Sequence, residues 1–156
     1  MNTLLLMMLL AGDPATCPMH AQHTAIDQRG DKVMGFSHHK TRHSFRLFAD
    51  GGAVEVRAND AADAENVAAI RAHLKEIASE FAKGDFAGPR EIHGRVPDGA
   101  EAMKALGAAI VYRYEELDRG ARVRLVTKDA RGVEAVHAFL RFQISDHRTG
   151  DSGKVE

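Results

Sequence analysis

The feature that most constrains this chain is a supersecondary unit that occurs twice. From His43 the residues alternate, His43, Phe45 and Leu47 to one side and Ser44, Arg46 and Phe48 to the other, which is the period of a β-strand. Asp50-Gly51-Gly52 turns the chain, and Ala53 to Ala58 returns with Val54 and Val56 on the apolar face, predicting a hairpin. Asn59 or Asp60 is placed to cap a helix in which Val67, Ile70, Leu74, Ile77 and Phe81 recur at three- and four-residue steps as far as Gly84. The order then returns. Ile110, Tyr112 and Tyr114 alternate, Asp118-Arg119-Gly120 turns, and Val123 and Leu125 line a second return strand. Asp129 stands where Asp60 stood, ahead of a helix carrying Val133, Val136, Leu140 and Ile144 that closes on Thr149-Gly150-Asp151. With one-residue gaps the halves superpose as patterns, so the unit is a duplicated strand, strand, helix.

Each strand face and each helix stripe must bury against something. The economical arrangement is an α+β fold of two layers, with a four-stranded antiparallel sheet and two long helices on one face. The expected boundaries are a leader over 1–16, a flexible His- and Met-rich arm over 17–42, the duplicated domain over 43–151 and a disordered tail over 152–156. Within the domain the units are 43–85 and 108–151, joined by a connector over 86–107 with a short helix from near Pro97 to Gly107. At 156 residues and 44% hydrophobic content the chain makes one core without staples. The single cysteine, Cys17, has no intramolecular disulfide duty. Lys plus Arg total 21 against 22 for Asp plus Glu, a net charge of -1, so no overall field favours nucleic acid.

The N-terminus predicts export. Thr3 to Ala11 is a nearly unbroken apolar run followed by Gly12-Asp13-Pro14, too short for a transmembrane helix, which needs about 20 residues, and of the length of a signal-peptide core. A periplasmic or secreted protein is expected, membrane-anchored if the leader is retained. Acylation of Cys17 is a further route.

Nine histidines and six methionines carry the candidate chemistry. Cys17-Pro18-Met19-His20-Ala21-Gln22-His23 gathers a thiol, a thioether and two imidazoles, soft donors that suit copper(I). The Cys-Pro-Met-His string resembles the heavy-metal-binding motif of bacterial copper and silver efflux proteins, although Ala21 stands where a Pro usually follows. That resemblance implies metal capture in the envelope by Cys17, Met19, His20 and His23. Met34, His38, His39 and His43 form a second group on the approach to the first strand. The stretches Met34-Gly35-Phe36, Thr41-Arg42-His43-Ser44-Phe45, Ile70-Arg71-Ala72-His73-Leu74, Ile92-His93 and His137 to Ile144 also resemble a set of small exported bacterial proteins of unassigned function. In those relatives a second His stands at the position of Ser44. This resemblance implies a folded domain with recurrent histidines.

His73, His93, His137 and His147 fall in structured places and offer a further metal site or buried polar site. His43, His73, His93 and His137 could converge, because both helices should cover the same sheet face. His147, at a helix C-terminus, has an ordinary place against the helix dipole. Arg46, Arg57, Arg113, Arg122 and Arg124 share the opposite sheet face with Glu55 and Glu115. Two readings follow, cross-strand ion pairing or a surface for an anion or a protein partner, a second copy of the chain included. The motifs of nucleophile elbows, phosphate loops, zinc proteases and dinucleotide folds are absent from the sequence. The expected function is an exported metal-binding protein for copper capture or delivery. The alternatives are an envelope ligand- or partner-binding module with structural histidines, and a metalloenzyme of unknown substrate.

Overall fold

The computed structural model describes residues 18–156, with side chains from residue 24 onward; the segment 1–16 read as a leader and Cys17 lie outside the described residues. The elements run α1 (Pro18–Met34), a 3-10 turn (His38–Lys40), β1 (Thr41–Phe48), β2 (Gly51–Ala58), α2 (Ala64–Ala82), α3 (Ala87–His93), α4 (Ala100–Leu106), β3 (Ile110–Leu117), β4 (Gly120–Thr127) and α5 (Ala130–His147). The sheet is antiparallel with order β1-β2-β4-β3, and α2 and α5 cover one face, so the fold is α+β as expected. Phe45, Leu47, Val56, Ile110, Val123 and Leu125 point into the core and meet Ile70, Leu74 and Phe81 of α2 and Val136, Phe139 and Leu140 of α5. No described helix is long and apolar enough to cross a membrane.

The two units are interlocked. α2 lies chiefly over β4 and β3, whereas α5 lies over β2 and β1, so each helix covers the hairpin of the other unit. A polar clamp repeats this exchange. Arg71, eight residues after the Asp63 N-cap of α2, donates from Nη2 to Leu117 O at 2.9 Å and from Nε to Gly120 O at 3.3 Å. His137, eight residues after the Asp129 N-cap of α5, shares its Nε2 hydrogen between Phe48 O at 2.9 Å and Gly51 O at 3.0 Å. Both side chains therefore tie down the last carbonyl of one strand and the first of the next, across the turn of the opposite hairpin. The approach is close enough to exclude a side chain at Gly52. A Cβ there would stand 2.2 Å from Leu140 Cδ1 and 2.5 Å from the Arg46 carbonyl oxygen.

Several expectations need correction. Neither Asn59 nor Asp60 caps α2; Asp63 does, accepting from the Asn66 backbone N–H, and so it is Asp63 that matches Asp129. The arm expected over 17–42 is mostly helix α1, which inserts Ile26 and Met34 into the core. The periodicity is faint because those anchors stand among polar residues. The connector carries α3 as well as the expected short helix α4, and α3 buries Pro89, Ile92 and His93 against α1. The tail is ordered along the free edge of β1. Asp151 Oδ2 accepts the Phe45 N–H at 2.8 Å, Val155 bridges to Leu47, and the Glu156 N–H donates to Leu47 O at 3.0 Å.

The interlock makes two outcomes measurable. Fragments 41–85 and 108–151, expressed singly, should show no cooperative urea unfolding, because each leaves its helix stripe without a hairpin to cover. Arg71→Ala and His137→Ala should each destabilise the full chain by about 1–3 kcal/mol, through turn carbonyls left without a donor.

Candidate functional site

The same packing leaves a pocket near the start of β1, between α2 and the C-terminal end of α5, roofed by α1 and α3. It is a cavity of about 60 Å3 for water-sized occupants, lined by His43, His73, His93, His147 and Met34 among apolar side chains. His43 reaches it from the inward face of β1, and His73 from α2, one residue before the buried Leu74. His93 ends α3, where Gly94 turns left-handed at φ 69, and His147 ends α5, where Arg148 does the same at φ 52. Met34 ends α1.

The rings are in mutual contact. His43 and His147 lie parallel, 5.6 Å apart between centroids, and His93 meets His147 edge-on at 4.9 Å. Phe36 touches both His43, at 6.1 Å, and His73, at 5.7 Å. Hydrogen bonding divides the four. His93 has both nitrogens engaged, Nδ1 with Asp146 Oδ2 at 2.5 Å and Nε2 with Gln143 Oε1 at 2.9 Å. The rings of His43, His73 and His147 make no hydrogen bond with any described residue. Nor are their nitrogens sealed off. Among the described residues the one fully enclosed side-chain polar atom lacking a partner is Tyr112 Oη.

Burial sets the protonation of this trio. Desolvation, helped by the charges that His73 and His38 would carry, lowers His43 to about 4. Desolvation with His43 and His93 lowers His147 to about 3, and desolvation also lowers His73. At neutral pH each of the three is an uncharged imidazole with one lone pair to offer.

The duplication supplies an internal control. With β1 matched to β3 and α2 to α5, His43 corresponds to Tyr112, His73 to Phe139 and His147 to Phe81. Those three counterparts form an aromatic cluster, with Phe81 edge-on to Tyr112 at 5.8 Å and to Phe139 at 5.7 Å. One end of the core thus packs aromatic rings where the other places three imidazoles.

The remaining candidates are placed as follows. His137 does not join the convergent set, since it is the hairpin clamp; His147 takes its place. The group Met34, His38, His39 and His43 divides between two locations. Met34 and His43 line the pocket, whereas His38 donates from Nδ1 to Asp31 Oδ1 at 2.9 Å and packs on the exposed His39 at 3.8 Å. Met19, His20 and His23 fall in the first half of α1, and their side chains are outside the described set. Among the described residues no three His, Cys, Asp or Glu side chains converge on one point as a metal-holding group. Of the sheet-face arginines, Arg46 pairs with Glu156, Arg57 with Asp118 at 2.5 Å, Arg122 with Glu115 at 2.7 Å and Arg124 with Asp50 at 3.0 Å. Arg113, directly across from Arg124, makes no ion pair. That face follows the ion-pairing reading over most of its area.

Acid should weaken the fold through the trio. Below about pH 6.5 the unfolded chain takes up protons at His43 and His147 that the folded chain binds only near pH 4 and 3. Stability is therefore full above about pH 6.5, falls as pH drops through that window, and stops falling on their account below it. His147→Phe should flatten the slope by up to about 1.4 kcal/mol per pH unit, read from urea unfolding at neutral and mildly acid pH.

No protein-family model, no curated protein and no solved structure matches this chain.

Proposed function

We propose that this protein binds a soft transition-metal ion, copper(I) foremost, in the histidine pocket, and that it captures the ion or hands it on. The observation that carries the reading is the imidazole trio standing where the opposite end of the core packs Phe81, Tyr112 and Phe139. The fold does not require nitrogen at those positions. Their nitrogens have no hydrogen-bond partner among the described residues and are not sealed from the pocket, so three neutral lone pairs are open to a ligand that enters it.

The donors choose the ion. Neutral imidazoles beside the Met34 thioether match copper(I), which accepts two or three soft ligands. A structural zinc site needs four donors, usually with thiolate, and no such set stands here among the described residues. An imidazole bound at about 2 Å sets its ring centre roughly 3 Å from the metal, so two rings sharing one ion lie up to roughly 6 Å apart. The 5.6 Å between His43 and His147 falls within that reach, and because the two rings are stacked parallel, one must turn to bring both lone pairs onto an ion. His93, oriented by Asp146, has the carboxylate–histidine pairing that tunes metal sites from the layer behind the ligands.

The N-terminal string fits the same reading as a separate station. α1 is 17 residues long, about 24 Å, so Met19 and His20, near its start, stand more than about 20 Å along the helix from Met34 at its end. An apolar leader and a copper-type string support an envelope setting, in which the string would meet the ion first.

The test uses the full chain carrying Cys17→Ala, Met19→Ala and His20→Ala, titrated anaerobically with copper(I) against a chromophoric chelator. A single ion should remain bound. Adding His43→Phe, His73→Phe and His147→Phe, which imitates the aromatic trio at the opposite end of the core, should preserve the fold, raise its stability and remove that ion. A folded triple-Phe chain that holds copper(I) as tightly as its parent would overturn the reading.

A further inference from the structure

On the outer face of the sheet, away from the histidine pocket, lies a second cavity, of about 380 Å3, lined by Arg42, Ser44, Arg57, Ala58, Asn59 and Arg119. Its volume is in the range of about 300–1,000 Å3 typical of small-molecule sites. Its charge is one-sided. Arg42 and Arg57 are direct cross-strand partners in β1 and β2, an arrangement of like charges that destabilises a sheet unless something neutralises it. Arg57 has Asp118 at 2.5 Å and Glu55 at 3.6 Å. Arg119 lies 3.8 Å from that same Asp118 and donates from Nη1 to Asn59 O at 3.2 Å. Glu55 is divided further, since Arg122 also approaches it at 3.5 Å.

Arg42 is left with no ion pair and no hydrogen bond among the described residues, and the Ser44 hydroxyl on the same face is equally uncommitted. Three guanidinium groups thus surround one cavity with a shared Asp118 and a share of Glu55 to balance them. The uncommitted donors are those of Arg42 and Ser44. Neither the expected arginine surface nor the ion pairs that occupy most of it include this pair.

From this juxtaposition we infer that the cavity binds a phosphate dianion, either inorganic phosphate or the phosphate of a small phosphomonoester. Guanidinium groups offer paired N–H donors in a planar fork that fits two phosphate oxygens, and the Ser44 hydroxyl can donate to a third. The anion would neutralise the Arg42–Arg57 repulsion across the hairpin. The site is independent of the copper reading, being on the opposite sheet face.

The experiment is calorimetric titration of the full chain at fixed ionic strength with inorganic phosphate and, separately, with phenyl phosphate. Saturable one-to-one binding is expected. Arg42→Gln should weaken it at least about tenfold, and Ser44→Ala less, as fits loss of a charged and a neutral hydrogen bond. Arg42 is exposed and without polar partners, so its replacement leaves the fold intact. Arg113→Gln, on the same face but outside the cavity, should change nothing. Tighter binding of phenyl phosphate assigns the site to a phosphomonoester, and equal binding assigns it to inorganic phosphate. Absence of saturation with both probes, or equal weakening by Arg113→Gln and Arg42→Gln, would overturn the inference.

Discussion

The exchange of helices between the two ββα units, fastened by Arg71 and His137, is the constraint on which the rest of this molecule depends. Each helix stripe finds its apolar complement on the hairpin that its own strands do not form. The polar clamp then fixes how far along the sheet each helix sits, because its donor must meet two carbonyls at a turn. Once the His137 end of α5 is held at the β1–β2 turn, its other end is carried to the beginning of β1. His147 and His43 meet there as a consequence.

That linkage also explains why one end of the core is open to chemistry and the other is packed. The opposite end fills the matching volume with Phe81, Tyr112 and Phe139, and Phe86 stacks on Phe81 at 4.5 Å. At the imidazole end the corresponding rings are smaller and polar, and Met34 of α1, Phe36 just beyond it and Ile92 of α3 close over them. The pocket is therefore an inner surface of the fold, defined by elements far apart in sequence.

Much of the architecture was legible in the residues. Period-2 alternation assigns the strand faces correctly, and the repeat accounts for the four strands and the two long helices on the sheet, but not for the 17-residue α1. What periodicity does not contain is which hairpin a stripe will cover or where along it. His137 and His147 look alike in sequence, yet ten residues separate them, about 15 Å along a helix, so only one can line a pocket with His43. The cap of α2 stands three positions beyond Asp60 because Asn59, Asp60 and Asp63 are all capable acceptors, and the choice among them rests on where the hairpin releases the chain. α1 escaped notice for a different reason. Its buried anchors, Ile26 and Met34, are eight residues apart on an otherwise polar segment, a pattern too sparse to read without the partner surface formed by α3.

The reciprocal covering of hairpins carries an evolutionary consequence. A lone ββα unit would leave its helix stripe bare, and a second copy, related by a two-fold axis between the central strands, would cover it. The present chain has the geometry of such a symmetric pair joined end to end by the segment that holds α3 and α4. Identical subunits must mutate together, whereas fused ones need not. Covalent fusion is what permits one end of the core to keep an aromatic interior while the other accumulates imidazoles at the same three addresses.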